Sequence, residues 1–154
     1  MSDGVTGPPT DLRVEHLGSD VLGLGVAAPR LSWTLPVGTR QQLGYQIRSR
    51  DHDSGRIDGA AQTLVPNPLP AGRSRERVDW QVRVWTDAGE SAWSDVATFE
   101  VGLLEPSDWS ARWIHPQDDD GEPGARPAHR FRSSFDLPRS AGVVGRARAY
   151  VTAH

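Results

Sequence analysis

Residues 78–86 read VDWQVRVWT. Val78, Trp80, Val82 and Val84 stand at alternate positions, with Asp79, Gln81, Arg83 and Trp85 between them. A period of two belongs to a strand, whose successive side chains leave opposite faces of a sheet. The stretch therefore predicts a strand with one buried face, apolar and dominated by β-branched residues, and one polar face that also carries an indole. Asp87, Ala88, Gly89 and Glu90 follow as a turn. Residues 98–101 (TFEV) return as a strand with Phe99 and Val101 aligned, which makes a hairpin.

Working outward, weaker copies of the same pattern recur. Residues 10–17 (TDLRVEHL) put Leu12 and Val14 on one face, residues 29–35 alternate Leu31, Trp33 and Leu35, and Tyr45 and Ile47 repeat the spacing. Between residues 51 and 72 turn signals and prolines dominate, with TLVP as the one strand-like piece, so an edge of the sheet is expected there. Residues 1–9 read as a disordered lead. Strands separated by turns across residues 10–102, with no helical period of useful length, predict an all-β chain built on an antiparallel β-sandwich.

Beyond residue 102 the character changes. Residues 103–114 (LLEPSDWSARWI) read as a linker and 117–128 (QDDDGEPGARPA) as a polar loop. Residues 129–137, with Phe131, Phe135 and Leu137, and residues 146–152 (RARAYVT) then read as two strands. Two strands cannot close a sandwich, so residues 103–154 are expected to hold a linker and the truncated start of a second β-sandwich. Their unpaired edges would favour self-association.

Composition narrows the function classes. The 154 residues allow one domain or one plus part of another. All 17 basic residues are arginine, which removes lysine-dependent Schiff-base and phosphate-loop chemistry. A net charge of -3 with both signs scattered gives no basic stripe for a nucleic acid. Without cysteine there is no disulfide, thiolate nucleophile or thiolate metal site. Residues 1–9 (MSDGVTGPP) have neither a basic start nor an apolar run, so no signal peptide or membrane span is expected and the cytoplasm is the default location.

Candidate chemistry is sparse. GLGVAA at 23–28 spells a dinucleotide-binding turn, but Pro29 and the lack of any following βαβ period make it a loop. Asp118, Asp119, Asp120 and Glu122 are adjacent rather than alternating, which suits a solvated loop better than a calcium site. His16, His52 and His154 are isolated. No pair of acids is placed to serve glycosidic hydrolysis, and the sequence assigns no catalytic, cofactor-binding or metal-binding residue. Trp33 and Trp80 belong to the core. Arg83, Trp85 and Trp93 remain as a candidate surface contact: a guanidinium over an indole would staple the last strands, while a bare indole face would suit a sugar, and the staple or an interdomain contact is preferred.

PRLSW at 29–33, YQI at 45–47, DSGR at 53–56, WQVRVWTDAGESAWS at 80–94, FEVGLL at 99–104, DWSARWI at 108–114, RFRSSFDL at 130–137 and ARAYVTAH at 147–154 together resemble the bacterial α-L-rhamnosidases of glycoside hydrolase family 78. The chain departs from that pattern in a shorter stretch between Ile47 and Asp53, with His52 where an aromatic residue usually precedes DSG. The resemblance implies a fibronectin-type-III/immunoglobulin-like sandwich at residues 10–102, then the opening of a second sandwich, and in the parent a large α/α barrel carrying the acidic catalytic residues. It implies a non-catalytic N-terminal scaffold or accessory portion, in intramolecular contact with that second sandwich and barrel. The parent would hydrolyse terminal α-L-rhamnose from glycosides. The other reading is a free-standing β-sandwich module that binds carbohydrate or protein through Trp85 and Trp93.

Overall fold

The computed structural model of the chain describes residues 6–115, 129–137 and 142–152. The chain divides into two compact units, Met1–Ala111 and Arg112–His154.

In the first unit, β1 (Thr10–Val14) pairs antiparallel with β3 (Leu31–Thr34) in a small sheet. The larger sheet contains β2 (Asp20–Leu24), β4 (Gln42–Ser49), β5 (Ile57–Asp58), β6 (Arg77–Thr86) and β8 (Ala97–Val101) in the order β2-β8-β6-β4-β5, with the short β7 (Gly89–Glu90) also on β6. Leu12, Val14, Leu31 and Trp33 from the small sheet share one core with Val21, Tyr45, Ile47, Trp80, Val82, Val84, Phe99 and Val101 from the large one. This is the expected β-sandwich, closed by the inward residues of two sheets. Trp33 meets Tyr45 across the core at a centroid separation of 5.2 Å. Its indole N–H donates to Gln42 Oε1 at 2.9 Å, and Gln42 Nε2 donates in turn to the carbonyls of Gly59 and Ala61. The buried amide thus has its partners and ties the 59–61 loop to the core.

β6 behaves as its sequence says. Trp80, Val82, Val84 and Thr86 are buried, while Gln81, Arg83 and Trp85 on the other face are half-buried. The return is more elaborate than a plain hairpin. Gly89, with φ +118°, lets β7 turn back beside Trp85 and Thr86, and regular pairing with β6 resumes only at Ala97 opposite Trp80. Residues 91–94 keep to the same edge of β6 in between, with Ser91 and Ser94 N–H donating to the carbonyls of Val84 and Val82.

β2 escapes a reading by alternation. Val21 and Leu24 face inward three residues apart, because the ladder to β8 shifts between them and Gly23 sits at φ +73°. A bulge of this kind destroys the period of two. The β2–β8 pair is also parallel, while the other strand ladders among the described residues are antiparallel. The GLGVAA segment therefore ends a strand and opens no helix.

The expected edge at residues 51–72 divides between the two sheets. β5 borders β4 in the large sheet, and Val65 bridges Leu31 in the small one. Gly44 permits the first of these contacts, since a Cβ there would lie 3.0 Å from the carbonyl oxygen of Ile57. Residues 6–9, read from sequence as part of a disordered lead, are tied to the sandwich. Thr6 exchanges backbone hydrogen bonds with Glu90 and Ala92, and Pro9 is fully buried, while residues 1–5 lie outside the described set.

Residues 103–111, read from sequence as linker, belong to the first unit. A 3₁₀ turn at Pro106–Asp108 presents Asp108, whose carboxylate accepts from the Ser74 hydroxyl and from the Leu104 and Glu105 backbone N–H groups. Arg75 Nη2 donates to the Asp108 carbonyl, and the Arg75 N–H reaches the carbonyls of Val101 and Gly102. The Ser74 hydroxyl comes first among the groups that lower the Asp108 pKa below the usual carboxylate range, followed by the Glu105 N–H.

In the second unit the described residues carry no helix and no strand, and Phe131, Phe135, Leu137, Val143 and Val151 are exposed. The alternation at 130–137 and 146–152 is thus not accompanied by a ladder among the described residues. A strand is stabilised by its neighbours, so alternation alone does not make one. The polar loop 117–128, with Asp118, Asp119, Asp120 and Glu122, lies outside the described residues, as does His154.

Candidate functional site: an arginine–tryptophan ladder

The outward face of β6 brings Arg83 and Trp85 together with Trp93 from the segment that follows β7. The Arg83 guanidinium carbon lies 5.0 Å from the centroid of Trp85 and 4.9 Å from that of Trp93. Two further arginines complete the arrangement. Arg48, on β4, sits 4.0 Å over Trp93, and Arg56, just before β5, sits 4.8 Å over Trp85. Each indole therefore has two guanidinium groups within 5.0 Å, the geometry in which a cation meets the negative face of an aromatic ring.

Local sequence explains how Trp93 reaches this face. The serines of SAWS, three residues apart at 91 and 94, are buried. Ser91 Oγ accepts the N–H of Val84 at 2.9 Å, and Ser94 Oγ accepts that of Val82 at 3.0 Å. Each hydroxyl also donates to the carbonyl of the next residue. The segment is thereby laced to β6 where no regular ladder runs, and Trp93 between the serines is delivered to the outer surface.

Polar groups hold the guanidiniums in place. Arg83 Nε donates to Gln46 Oε1 at 2.8 Å and its Nη1 pairs with Glu90, while the other Glu90 oxygen accepts from Trp85 Nε1 at 3.1 Å. Arg48 donates to Gln81 Oε1 at 2.9 Å, and Gln81 Nε2 donates to the Ser94 carbonyl at 2.6 Å. Gln46 Nε2 continues the chain to Asp53. The Gln46 amide, then the Gly55 N–H and the positive charges of Arg83 and Arg48, hold the Asp53 carboxyl below its ordinary range. Arg56 pairs with Asp58 at 2.9 Å.

The three residues expected at this contact are thus together. Arg48, Arg56, Glu90 and the two serines were not anticipated. Arg48 had a signal, since it alternates with Ile47 and must leave the face opposite to the core; the spacing of Ser91 and Ser94 was another. Arg56 had none, because its place depends on how the 51–58 turn returns to β4.

The arrangement offers cations, amides and aromatic faces, but no acid pair across a cleft and no nucleophile beside a base. Among the described residues no three His, Asp or Glu side chains gather as metal ligands, and no helix is long and apolar enough to cross a membrane.

Comparison with known proteins agrees with the fold. Residues 9–105 match the family model described as Rha78A-like, N-terminal immunoglobulin domain. An alpha-L-rhamnosidase of Streptomyces avermitilis is 40% identical across 60% of this chain and 10% of its own length. One from an Alteromonas species is 34% identical across 94% of this chain and 18% of its own length. The crystal structure of a Streptomyces avermitilis alpha-L-rhamnosidase complexed with L-rhamnose superposes with a TM-score of 0.63 at 36% identity, covering 70% of this chain and 12% of that one. The chain spans less than a fifth of the length of each of these relatives.

Proposed function

The chain belongs to the family of Rha78A-like N-terminal immunoglobulin domains, and from that premise we propose that it is a non-catalytic scaffold or accessory portion of an α-L-rhamnosidase. The observation that carries this reading is the pairing of strong similarity with small coverage: 34% identity across 94% of this chain falls within 18% of a relative's length. The parent enzyme would hydrolyse terminal α-L-rhamnose from glycosides. The catalytic acids would lie elsewhere in that enzyme, because a glycosidase needs two carboxylates flanking a bound sugar, one of them protonated, whereas no such pair faces a cleft on the ladder, and Asp11 and Glu15 on the small sheet are each ion-paired with an arginine. Residues 112–154 would form the transition to a second sandwich, whose partner strands and the catalytic barrel would cover Phe131, Phe135 and Leu137.

In this role the ladder is a structural staple. It binds β4, β6 and the 91–94 segment on the face that the hydrophobic core does not reach. A sugar ring stacking on Trp85 or Trp93 would compete with guanidiniums already over those rings, which weighs against the reading of a binding module built on these two indoles.

An aryl α-L-rhamnoside assay tests the proposal. The isolated chain should release no product above a heat-treated control. Turnover that survives repurification and disappears when the sandwich unfolds would overturn it. In a full-length relative, deleting the segment equivalent to residues 9–105 should lower thermal stability while leaving residual turnover per folded molecule.

A further inference from the structure

The outer face of the small sheet carries a cleft that the ladder does not involve. Its volume is about 380 Å³, and its lining includes Asp11, Arg13 and Glu15 from β1 and the following turn, Ser32 and Thr34 from β3, and Leu64 from the segment beside β3. The shape follows from side-chain length. β3 is the middle strand, bonded to β1 on one side and to Val65 on the other. Its two outward residues, Ser32 and Thr34, are short hydroxyl side chains, the Ser32 oxygen accepting the Leu64 N–H, while Asp11, Arg13 and Leu64 beside them are longer, so the face is a trough with a hydroxyl floor.

The backbone is unusual at this place. Four non-glycine residues among those described have positive φ: Asp11 at 49°, Glu15 at 55°, Leu64 at 50° and Arg75 at 69°. Three of the four line the cleft. Left-handed backbone costs L residues about 1 kcal/mol or more each and collects where the surroundings use it. β1 also shifts register between Thr10 and Arg13, a bulge that re-aims Asp11.

The charges are balanced. Asp11 is paired with Arg13 inside the cleft at 2.9 Å, and Glu15 is held by the backbone N–H and guanidinium of Arg30. A strong anion or cation therefore meets no uncompensated charge. Carboxylate oxygens retain acceptor capacity, the guanidinium and the imidazole of His16 supply donors, and hydroxyls supply both. That combination suits a neutral ligand whose groups each donate and accept. The volume, at the lower end of small-molecule sites, fits a ligand of one or two rings.

We propose that this cleft is a binding site for a neutral mono- or disaccharide, with Asp11 and Glu15 accepting from adjacent sugar hydroxyls and Arg13 donating to another. The choice of L-rhamnose as first probe rests on the proposed function above; the site itself rests on the cleft. Amide-resolved NMR titration of the chain with L-rhamnose, methyl α-L-rhamnoside and D-glucose tests it. Saturable shifts should appear at Arg13, Ser32, Thr34 and Leu64, with a Kd on the order of 1 mM. Asp11→Asn, which tolerates the same left-handed backbone, should weaken binding at least about fivefold. Thr34→Trp, at an exposed floor position, should abolish binding by filling the trough. Trp85→Ala should leave the affinity unchanged. Binding of glucose without rhamnose would support the cleft and count against the rhamnoside reading. Saturation of these amides by inorganic phosphate alone, shifts centred on Trp85 and Trp93, or no saturable shift with any sugar while the spectrum remains folded would each overturn the proposal.

Discussion

On the inner face of β6, Trp80, Val82 and Val84 are at most 1% exposed and touch apolar neighbours from both sheets. On its outer face, Arg83 and Trp85 are half-buried, and their contacts are guanidinium over indole, amide to guanidinium and carboxylate to both. The same ten residues thus serve two adhesives. The inner one is non-directional and grows with area removed from water. The outer one is directional, and each contact is worth only about 0.5–1 kcal/mol where solvent reaches it. The lesson concerns redundancy. A hole in the core has no substitute, whereas one rung of the ladder can be lost while Arg48, Arg83 and Arg56 keep other partners.

The largest effect should come from the inner face. Trp80→Ala is expected to cost about 3–5 kcal/mol, enough to unfold much of a marginally stable domain. Trp80→Phe should cost far less than Trp80→Ala, because it keeps most of the burial and removes an indole N–H that has no hydrogen-bond partner among the described residues. Urea denaturation of the three proteins measures both, and equal losses in the two variants would contradict a packing role.

The lacing between the faces comes next. Ser94→Ala should destabilise by about 1–3 kcal/mol, since the Val82 N–H loses its acceptor in a buried place. Hydrogen exchange at Val82 should accelerate with it. Trp93→Ala, on the outer face, should cost only about 1 kcal/mol, and added salt should shrink the difference from wild type. A loss as large as that of Trp80→Ala would erase the distinction between the faces.

The smallest effect is electrostatic. Asp53 has its carboxyl pKa lowered by Gln46 first and then by the Gly55 N–H; Glu15 has its own lowered chiefly by the Arg30 side chain. A carboxyl whose folded pKa lies below its unfolded value stabilises the fold fully above the unfolded value, and that contribution disappears as pH falls through the folded one. The chain should therefore hold its stability down to about pH 4 and lose it progressively below. Asp53→Asn should flatten that decline slightly, measured as the urea midpoint at about pH 7 and about pH 3. An unchanged slope would mean that Asp53 is as well solvated folded as unfolded.

How far the sequence could be read varies by element. β6 was legible because both of its faces obey the period of two over ten residues. Leu12, Val14, Leu31, Trp33, Tyr45 and Ile47 were legible as core for the same reason, and all are buried. β2 was not, because Gly23 breaks its alternation and its pairing with β8 joins segments some eighty residues apart. The ladder was half legible. Trp85 and Arg83 follow from position on β6, but Arg56 arrives through the path of a turn.

The amino-acid sequence alone determined the all-β character, the identity of the inward residues and the presence of an indole and a guanidinium on the outward face, because strand periodicity is a local property that each segment carries with it. Only the tertiary structure decided which cations meet which rings, that residues 103–111 fasten to Ser74 and Arg75, and that Asp11, Glu15 and Leu64 surround one cleft. These depend on register, bulges and turn paths between distant segments, and a shift of one residue in any of them would send the same side chains to the other face.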